Sequence, residues 1–218
     1  LDGDATDVDA DATLTYAKVN GPTWLTVGPN GALSGTPSNS DVGANSFTVS
    51  VSDGIAPPVN ATLNITVINT NEAPSWTSNP FNGADATEDS VYSANLSASA
   101  TDVDAGATLT FAKVSGPAWL DVASNGALSG TPLNSDVGSN SFTVRVTDAG
   151  GLTANATLNI AIANVNDAPV FTNPTITGTA ATEDAAYTGT LAGTATDQDA
   201  GDTFTYSKVT GPSWLTVA

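Results

Sequence analysis

The side chains that could do chemistry in this sequence are carboxylates, and they come in pairs. Asp102 and Asp104 are separated by one residue, and the same pairing recurs as Asp7 with Asp9 and Asp197 with Asp199. On an extended chain, residues two apart face the same side, so each pair is expected to present a small anionic cup. Asp41 and Asp136 follow in two NSDVG stretches, and Asp53 and Asp148 close the runs Ser52-Asp53-Gly54 and Thr147-Asp148-Ala149. Asn69, Asn71 and Glu72 precede Ala73-Pro74, and Asn164, Asn166 and Asp167 precede Ala168-Pro169. Carboxylates, carboxamides and backbone carbonyls form an oxygen-only donor set. Such a set suits a hard cation, and flexible loops offering six to eight oxygens favour Ca²⁺ over Mg²⁺.

The residues that are missing narrow the chemistry further. The 218 residues contain no Cys and no His, so zinc sites of thiolate or imidazole, cysteine nucleophiles, serine triads and disulfides are all excluded. Twenty-two acids against four bases give a formal charge of −18. Four cations cannot cover a phosphate backbone, so nucleic acid is not an expected partner, and anionic membrane surfaces are disfavoured. No apolar run is long enough to span a bilayer, so no direct membrane insertion is expected. Hydrophobic residues still make up 40%, too many for a disordered acidic tail. Opening on Leu1 with no Met, the sequence reads as an internal piece of something longer.

These acids are positioned by a repeat. DVDADATLTYAKVNGPTWLTV from Asp7 returns from Asp102 and again from Asp197, with Trp24, Trp119 and Trp214 marking a 95-residue step. Ser46–Ser52 and Ala61–Val67 alternate apolar and polar residues, as do their copies one step later, which predicts half-buried antiparallel strands. Asn30-Gly31 and Asn125-Gly126 signal tight turns ahead of a short ALSG strand. No stretch carries ten residues of helical periodicity. About seven short strands per repeat predict an all-β chain of tandem Greek-key antiparallel β-sandwiches. One complete unit is expected at 73–167. Residues 1–72 lack the N-terminal strands of that unit and 168–218 lack its C-terminal strands. The end pieces read as cuts from a longer array. Completion between copies in a fibre is the alternative, although it would supply unit positions 96–123 twice.

Several motifs together resemble a known family. The linker VNDAP, the TED of Thr182–Asp184, ATDVDAG at Ala100–Gly106 and VTDAGG at Val146–Gly151 look like cadherin repeats. GPAWLDV, NGALSGTP, DVG and FTV in series resemble more closely the dystroglycan-type cadherin-like domain of tandem arrays on bacterial surface and secreted proteins. The resemblance covers the whole chain and implies calcium between consecutive domains. Carried over residue by residue, it implies Asp41, Asn69, Asn71, Glu72, Asp102, Asp104 and Asp148 at the first junction. At the second it implies Glu88, Asp136, Asn164, Asn166, Asp167, Asp197 and Asp199. The linker is one residue shorter than the family's, its leading Asp is Asn, and Glu72 replaces an Asp, so one to three ions per junction are compatible with it. Asp2, Asp4, Asp11, Asp85, Asp121 and Asp202 are expected to be solvated surface charges or turn formers.

Two functions fit these features. The first is a calcium-stiffened structural or adhesive segment of a bacterial extracellular protein, cell-surface protein or fibre, with neighbouring repeats, and copies of itself, as partners. The second is a row of carbohydrate-binding modules contacting polysaccharide, for which exposed Trp24 and Trp119 would be the stacking platforms. The family pattern makes that Trp a packing residue, and Trp76, replaced by Phe171 one step on, reads as a hydrophobic plug. Carboxylate pairs repeated in every unit beside junctions do not suit an enzyme.

Overall fold

The computed structural model describes residues 1, 3–9 and 12–217; Asp2 and Asp11 lie outside the described residues. The chain is nearly all β, 38% strand and 3% helical. The helical part is two short 3-10 turns at Asn39–Asp41 and Asn134–Asp136. No helix among the described residues is long and apolar enough to cross a membrane. Two compact units emerge. One joins Leu1–Pro74 to Asp102–Thr108 and Asp148–Leu152; the other joins Ser75–Thr101, Leu109–Thr147 and Thr153–Ala218.

In the first unit, β1 (Thr15–Asn20), β4 (Gly43–Ser52) and β5 (Val59–Val67) form a three-stranded antiparallel sheet, while β2 (Leu25–Val27) pairs with β3 (Leu33–Gly35). Phe47 and Val49 are buried between them with Tyr16 and Leu25.

The second unit contains a two-layered sandwich. One sheet runs β11 (Thr110–Ser115), β14 (Gly138–Thr147), β15 (Thr153–Ala163) and β7 (Phe81–Asn82), with β8 (Ala86–Thr87) also on β15. The facing layer holds β12 (Leu120–Val122), β13 (Ala127–Gly130) and β9 (Tyr92–Asn95), and β10 (Ala100–Thr101) pairs with β6 (Ser75–Trp76). Phe142, Val144, Val146, Leu158, Ile160 and Ile162 project inward at every second position, and Leu120, Leu128 and Tyr92 meet them from the other layer. This is the period-two pattern of the sequence turned into a core.

Three features depart from the sequence expectations. The middle repeat has ten strand segments rather than about seven, because its N-terminal stretch is broken into two-residue pieces. Two of those pieces, β7 and β8, run parallel to β15 in an otherwise antiparallel sandwich. Among the described residues from 168 to 217, only β16 (Val170–Phe171) and β17 (Ala195–Thr196) form. Residues 205–210, the copy of β11, stay outside any ladder. A strand needs a hydrogen-bonding neighbour, and the copy of β14 that would provide it corresponds to positions past residue 218.

Two local devices fix the turns. Gly126 takes φ +85° in the β12–β13 turn, a conformation that glycine adopts without strain. Gly130 lies so close to the opposite strand that a Cβ there would sit 2.0 Å from the Trp119 carbonyl oxygen. Lys113 anchors the GPAWL bend by donating from Nζ to the carbonyls of Pro117 and Leu120. Lys18 and Lys208 repeat that bracket on Pro22 and on Pro212 and Leu215.

Candidate metal sites at the repeat boundaries

The Asp pairs are not extended. In all three copies the first Asp accepts the backbone N–H of the second through Oδ1: Asp9 to Asp7 at 2.9 Å, Asp104 to Asp102 at 2.9 Å, and Asp199 to Asp197 at 3.0 Å. This Asx turn replaces the expected strand geometry, because a short carboxylate competes for nearby backbone donors better than a distant ladder does. Its effect in the second and third copies is to leave the carboxylates of Asp104 and Asp199 free to meet the linker.

At the first boundary the linker closes on that carboxylate. Asn69 Nδ2 donates to Asp104 Oδ1 at 2.8 Å and the Glu72 N–H donates to Oδ2 at 3.0 Å. The Glu72 amide, and after it the Asn69 carboxamide, hold Asp104 below its ordinary pKa. Asn71 Nδ2 donates to Asp148 Oδ2 at 2.9 Å, and Asp148 Oδ1 accepts the Leu152 N–H at 2.8 Å. Asp148 is buried at 6% exposure. Gly150 leaves room for this contact, since a Cβ there would lie 2.6 Å from Asn71 Oδ1.

The second boundary repeats the plan. The Asp167 N–H donates to Asp199 Oδ2 at 2.6 Å, and Asn134 Nδ2 donates to Oδ1 at 3.2 Å. Donation first from the Asp167 amide, then from Asn164 and Asn134, lowers the Asp199 pKa. Asp167 shifts upward, first through desolvation and then through the charges of Asp199, Asp89, Glu88 and Asp197. Glu88 is 1% exposed, with Oε1 accepting the Val165 N–H at 2.5 Å. Asn166 bonds the Asp167 carbonyl.

The structure therefore brings together Asn69, Asn71, Glu72, Asp102, Asp104 and Asp148, and likewise Glu88, Asn164, Asn166, Asp167, Asp197 and Asp199. Asp41 and Asp136 instead close their own 3-10 turns. Asp41 Oδ2 accepts from the Ser38 hydroxyl and amide, which lower its pKa, and Asp136 Oδ2 accepts the Leu133 N–H. The side chain that reaches each boundary from that turn is Asn39, on Glu72 at 3.3 Å, and Asn134, on Asp199. The sequence expectation favours the acid two residues on in each turn, although Asn39 and Asn134 also recur at the repeat step. Asp202, expected to be plain surface charge, has a carboxylate oxygen within 4.8 Å of those of Asp197 and Asp199.

These clusters lack positive charge. Asp102 Oδ2, Glu88 Oε2 and Asp167 Oδ2 are buried with no hydrogen-bond donor. The four basic side chains are engaged elsewhere, the three lysines on backbone carbonyls and Arg145 on Asn155 Oδ1. Buried, donorless carboxylate oxygens are costly unless a cation meets them. An oxygen-liganding divalent ion fits this donor set.

Three of the four Trp side chains pack inward rather than forming platforms, whereas Trp214 is 62% exposed and edge-on to Tyr187 at 5.9 Å. Trp119 stands edge-on to Tyr92 and Phe142, at 5.6 and 5.5 Å, and its Nε1 donates to Asn140. Trp24 is edge-on to Phe47 with Nε1 on Asn45. Trp76 stacks on Phe81 at 5.4 Å.

A sandwich of this topology, with acids at each repeat boundary, is an immunoglobulin-like repeat. The chain belongs to the family described as "Putative Ig domain", whose model matches residues 2–68 and 74–163. Among solved structures it is similar to human CDH23 EC21-23, with a TM-score of 0.64 at 22% identity over 88% of this chain and 71% of that one. Mouse Cadherin-23 EC22-24 gives a TM-score of 0.55 at 22% identity over 77% and 60%. The endo-fucoidan hydrolase MfFcnA4 from glycoside hydrolase family 107 is 36% identical over 72% of this chain, with a TM-score of 0.42, and the chain spans 24% of its length. No curated protein matches.

Proposed function

We propose that the chain is a calcium-stiffened run of cadherin-like repeats, of the dystroglycan-type kind, in a bacterial extracellular or cell-surface protein or fibre. It acts as a structural or adhesive spacer rather than an enzyme, and its immediate partners are its own neighbouring repeats. Residues 73–167 are the independently folding unit, flanked by the incomplete units 1–72 and 168–218.

The observation that carries this reading is the set of buried carboxylate oxygens on Glu88, Asp102 and Asp167 that no donor meets, in a chain whose bases are all used elsewhere. Calcium supplies positive charge and draws linker and loop oxygens onto one centre. Asp102, Asp104, Asp148, Asn69, Asn71 and Glu72 would hold it at the first boundary. Glu88, Asn164, Asn166, Asp167, Asp197 and Asp199 would hold it at the second, with Asn39 and Asn134 as neutral oxygens. Extracellular modules of this kind bind at about 10⁻⁴ to 10⁻³ M, so occupancy follows extracellular calcium. A polysaccharide-stacking role has less support, because the Trp119 indole is edge-packed between Tyr92 and Phe142.

Calorimetric calcium titration of the 218-residue chain, with melting and small-angle scattering in chelator and in calcium, tests this reading. Saturation tenfold above Kd adds about 1.4 kcal/mol per site, so the melt rises in calcium and the maximum dimension lengthens. No heat and no change in either measurement would refute it.

A further inference from the structure

Four asparagines in this chain precede glycine: Asn20, Asn30, Asn82 and Asn125. All four are exposed. An Asn-Gly step can close on itself, because the glycine nitrogen and the carboxamide carbon complete a five-membered ring and no Cβ obstructs the approach. Exposure does not separate the four. The direction of each glycine N–H does.

In three of them the N–H points at a main-chain carbonyl. Gly31 donates to Gly28, Gly83 to Asn159 and Gly126 to Ala123, each at 2.8 Å. That bond holds both the nitrogen and its proton away from the preceding side chain. Asn30 and Asn125 are turned away as well, their Oδ1 atoms accepting the N–H of Ala32 at 3.2 Å and of Ala127 at 3.1 Å. Gly21 differs: its N–H donates to Asn20 Oδ1 at 2.8 Å. The nitrogen therefore already lies against the carboxamide whose carbon it would attack. The fold holds it there. Asn20 ends β1 opposite Thr48, just after the register slips past Lys18. Gly21 then takes φ +119° so close to Phe47 that a Cβ would lie 2.6 Å from the ring. Gly116 and Gly211 repeat this conformation at φ +124° and +135°, but Ser115 and Thr210 precede them and carry no carboxamide.

We propose that Asn20 is a site of self-modification, at which the Gly21 nitrogen converts the carboxamide to a carboxylate. The nitrogen loses its proton to solvent base and bonds Asn20 Cγ. Nδ2 takes up a proton and leaves as ammonia, and a succinimide remains. Water then opens the ring. Attack at Cγ gives an ordinary aspartate; attack at the main-chain carbonyl gives isoaspartate, with the chain routed through Cβ. One water enters, one ammonia leaves, and nothing is oxidised or reduced. Either product adds a negative charge to a chain already at −18. Isoaspartate also adds a methylene to the main chain beside Phe47, which is 1% exposed and edge-on to Trp24 at 5.3 Å. The inserted carbon presses on the core of the first repeat, so the reaction is a slow covalent clock confined to that repeat.

Peptide mapping by mass spectrometry, on the 218-residue chain held at neutral pH in buffer and in concentrated denaturant, follows all four steps at once. The NH₂-to-OH exchange marks conversion, and enzymatic methylation of isoaspartate separates the two products. In buffer Asn20 should convert at least about tenfold faster than Asn30, Asn82 or Asn125, since small misplacements of reacting atoms cost rate steeply. In denaturant the lead should vanish. Asn20→Ser, which installs the residue type found one repeat later, should fold normally and remove the fast site. An Asn20 no faster than the other three in buffer overturns the proposal. So does a lead undiminished in denaturant, which would assign it to neighbouring sequence rather than to the fold. The purified isoaspartate form should melt below Asn20→Asp, which carries the same charge; equal melts overturn the pressure on the core.

Discussion

The backbone N–H of Glu72 donates to Asp104 Oδ2 at 3.0 Å, so the last linker residue before Ala73-Pro74 is tied to the second acid of the following Asp pair. Asp167 and Asp199 repeat the tie at 2.6 Å. A charged acceptor strengthens such a bond, and the linker's path depends on it. Asp104→Asn keeps the size and removes the charge. It should abolish the calcium response of the first boundary, halving the heat of titration while the second boundary still binds. Isothermal calorimetry on the variant and on Asp199→Asn checks both halves.

Gly150 offers a test that touches no donor. A Cβ at this position would press on Asn71 at 2.6 Å and displace it from Asp148. Outer-shell disturbances of this kind weaken metal binding by about 10–100-fold. Gly150→Ala should therefore raise the first boundary's calcium Kd about tenfold, and the lost Asn71–Asp148 bond should lower stability in chelator by about 1 kcal/mol.

Asp167 and Asp199 should respond to pH in opposite senses. Asp199 is held below the ordinary carboxylate value of 3.8, so its stabilising contribution is present above that value and is lost as pH falls through its folded pKa. Asp167 is held above 3.8, so its contribution is present below that value and is lost as pH rises through its folded pKa. In chelator the second boundary should thus loosen as Asp167 ionises, and calcium should pull its titration downward. Carboxyl NMR titration of the two residues, with and without calcium, reads both shifts directly.

Leu158 and Leu63 occupy the same position in two repeats, one fully buried and one half-open. Leu158→Ala should cost about 3 kcal/mol and lower the middle repeat's melt by about 15 °C. Leu63→Ala should cost about 1 kcal/mol, because less apolar area leaves the solvent there. Denaturant titration resolving the two transitions tests the contrast.

Much of the sandwich is legible in the sequence because burial on one face forces alternation along long strands. Phe142, Val144 and Val146 announce themselves in this way, as do Leu158, Ile160 and Ile162. The pairings of Phe81 with Leu158 and of Ala86 with Ile162 do not, since a two-residue strand has no period and its partner is remote. The boundary acids stand out by type and spacing, but their geometry depends on backbone donors. Asp104 meets the Glu72 amide only once Asp102 has turned the chain, and nothing in an Asp-x-Asp spacing distinguishes that turn from a strand. Asn39 and Asn134 were obscured for a different reason. A neutral carboxamide beside an acid draws less attention, yet here the acid is spent on capping its own turn.

The lysine brackets reach beyond the bends they hold. Lys18, Lys113 and Lys208 each turn their ammonium onto carbonyls of their own repeat, leaving Arg145 as the one cation on a strand's outer face. Two such surfaces meet as polyanions of like sign, with almost no positive spots to interlock. They should hold each other off like bristles in dilute buffer, where the screening length is about 30 Å, and come together at 0.15 M, where it is about 8 Å. Ionic strength, set by the surroundings rather than by any one residue, thus becomes the control on how densely these chains can be laid side by side.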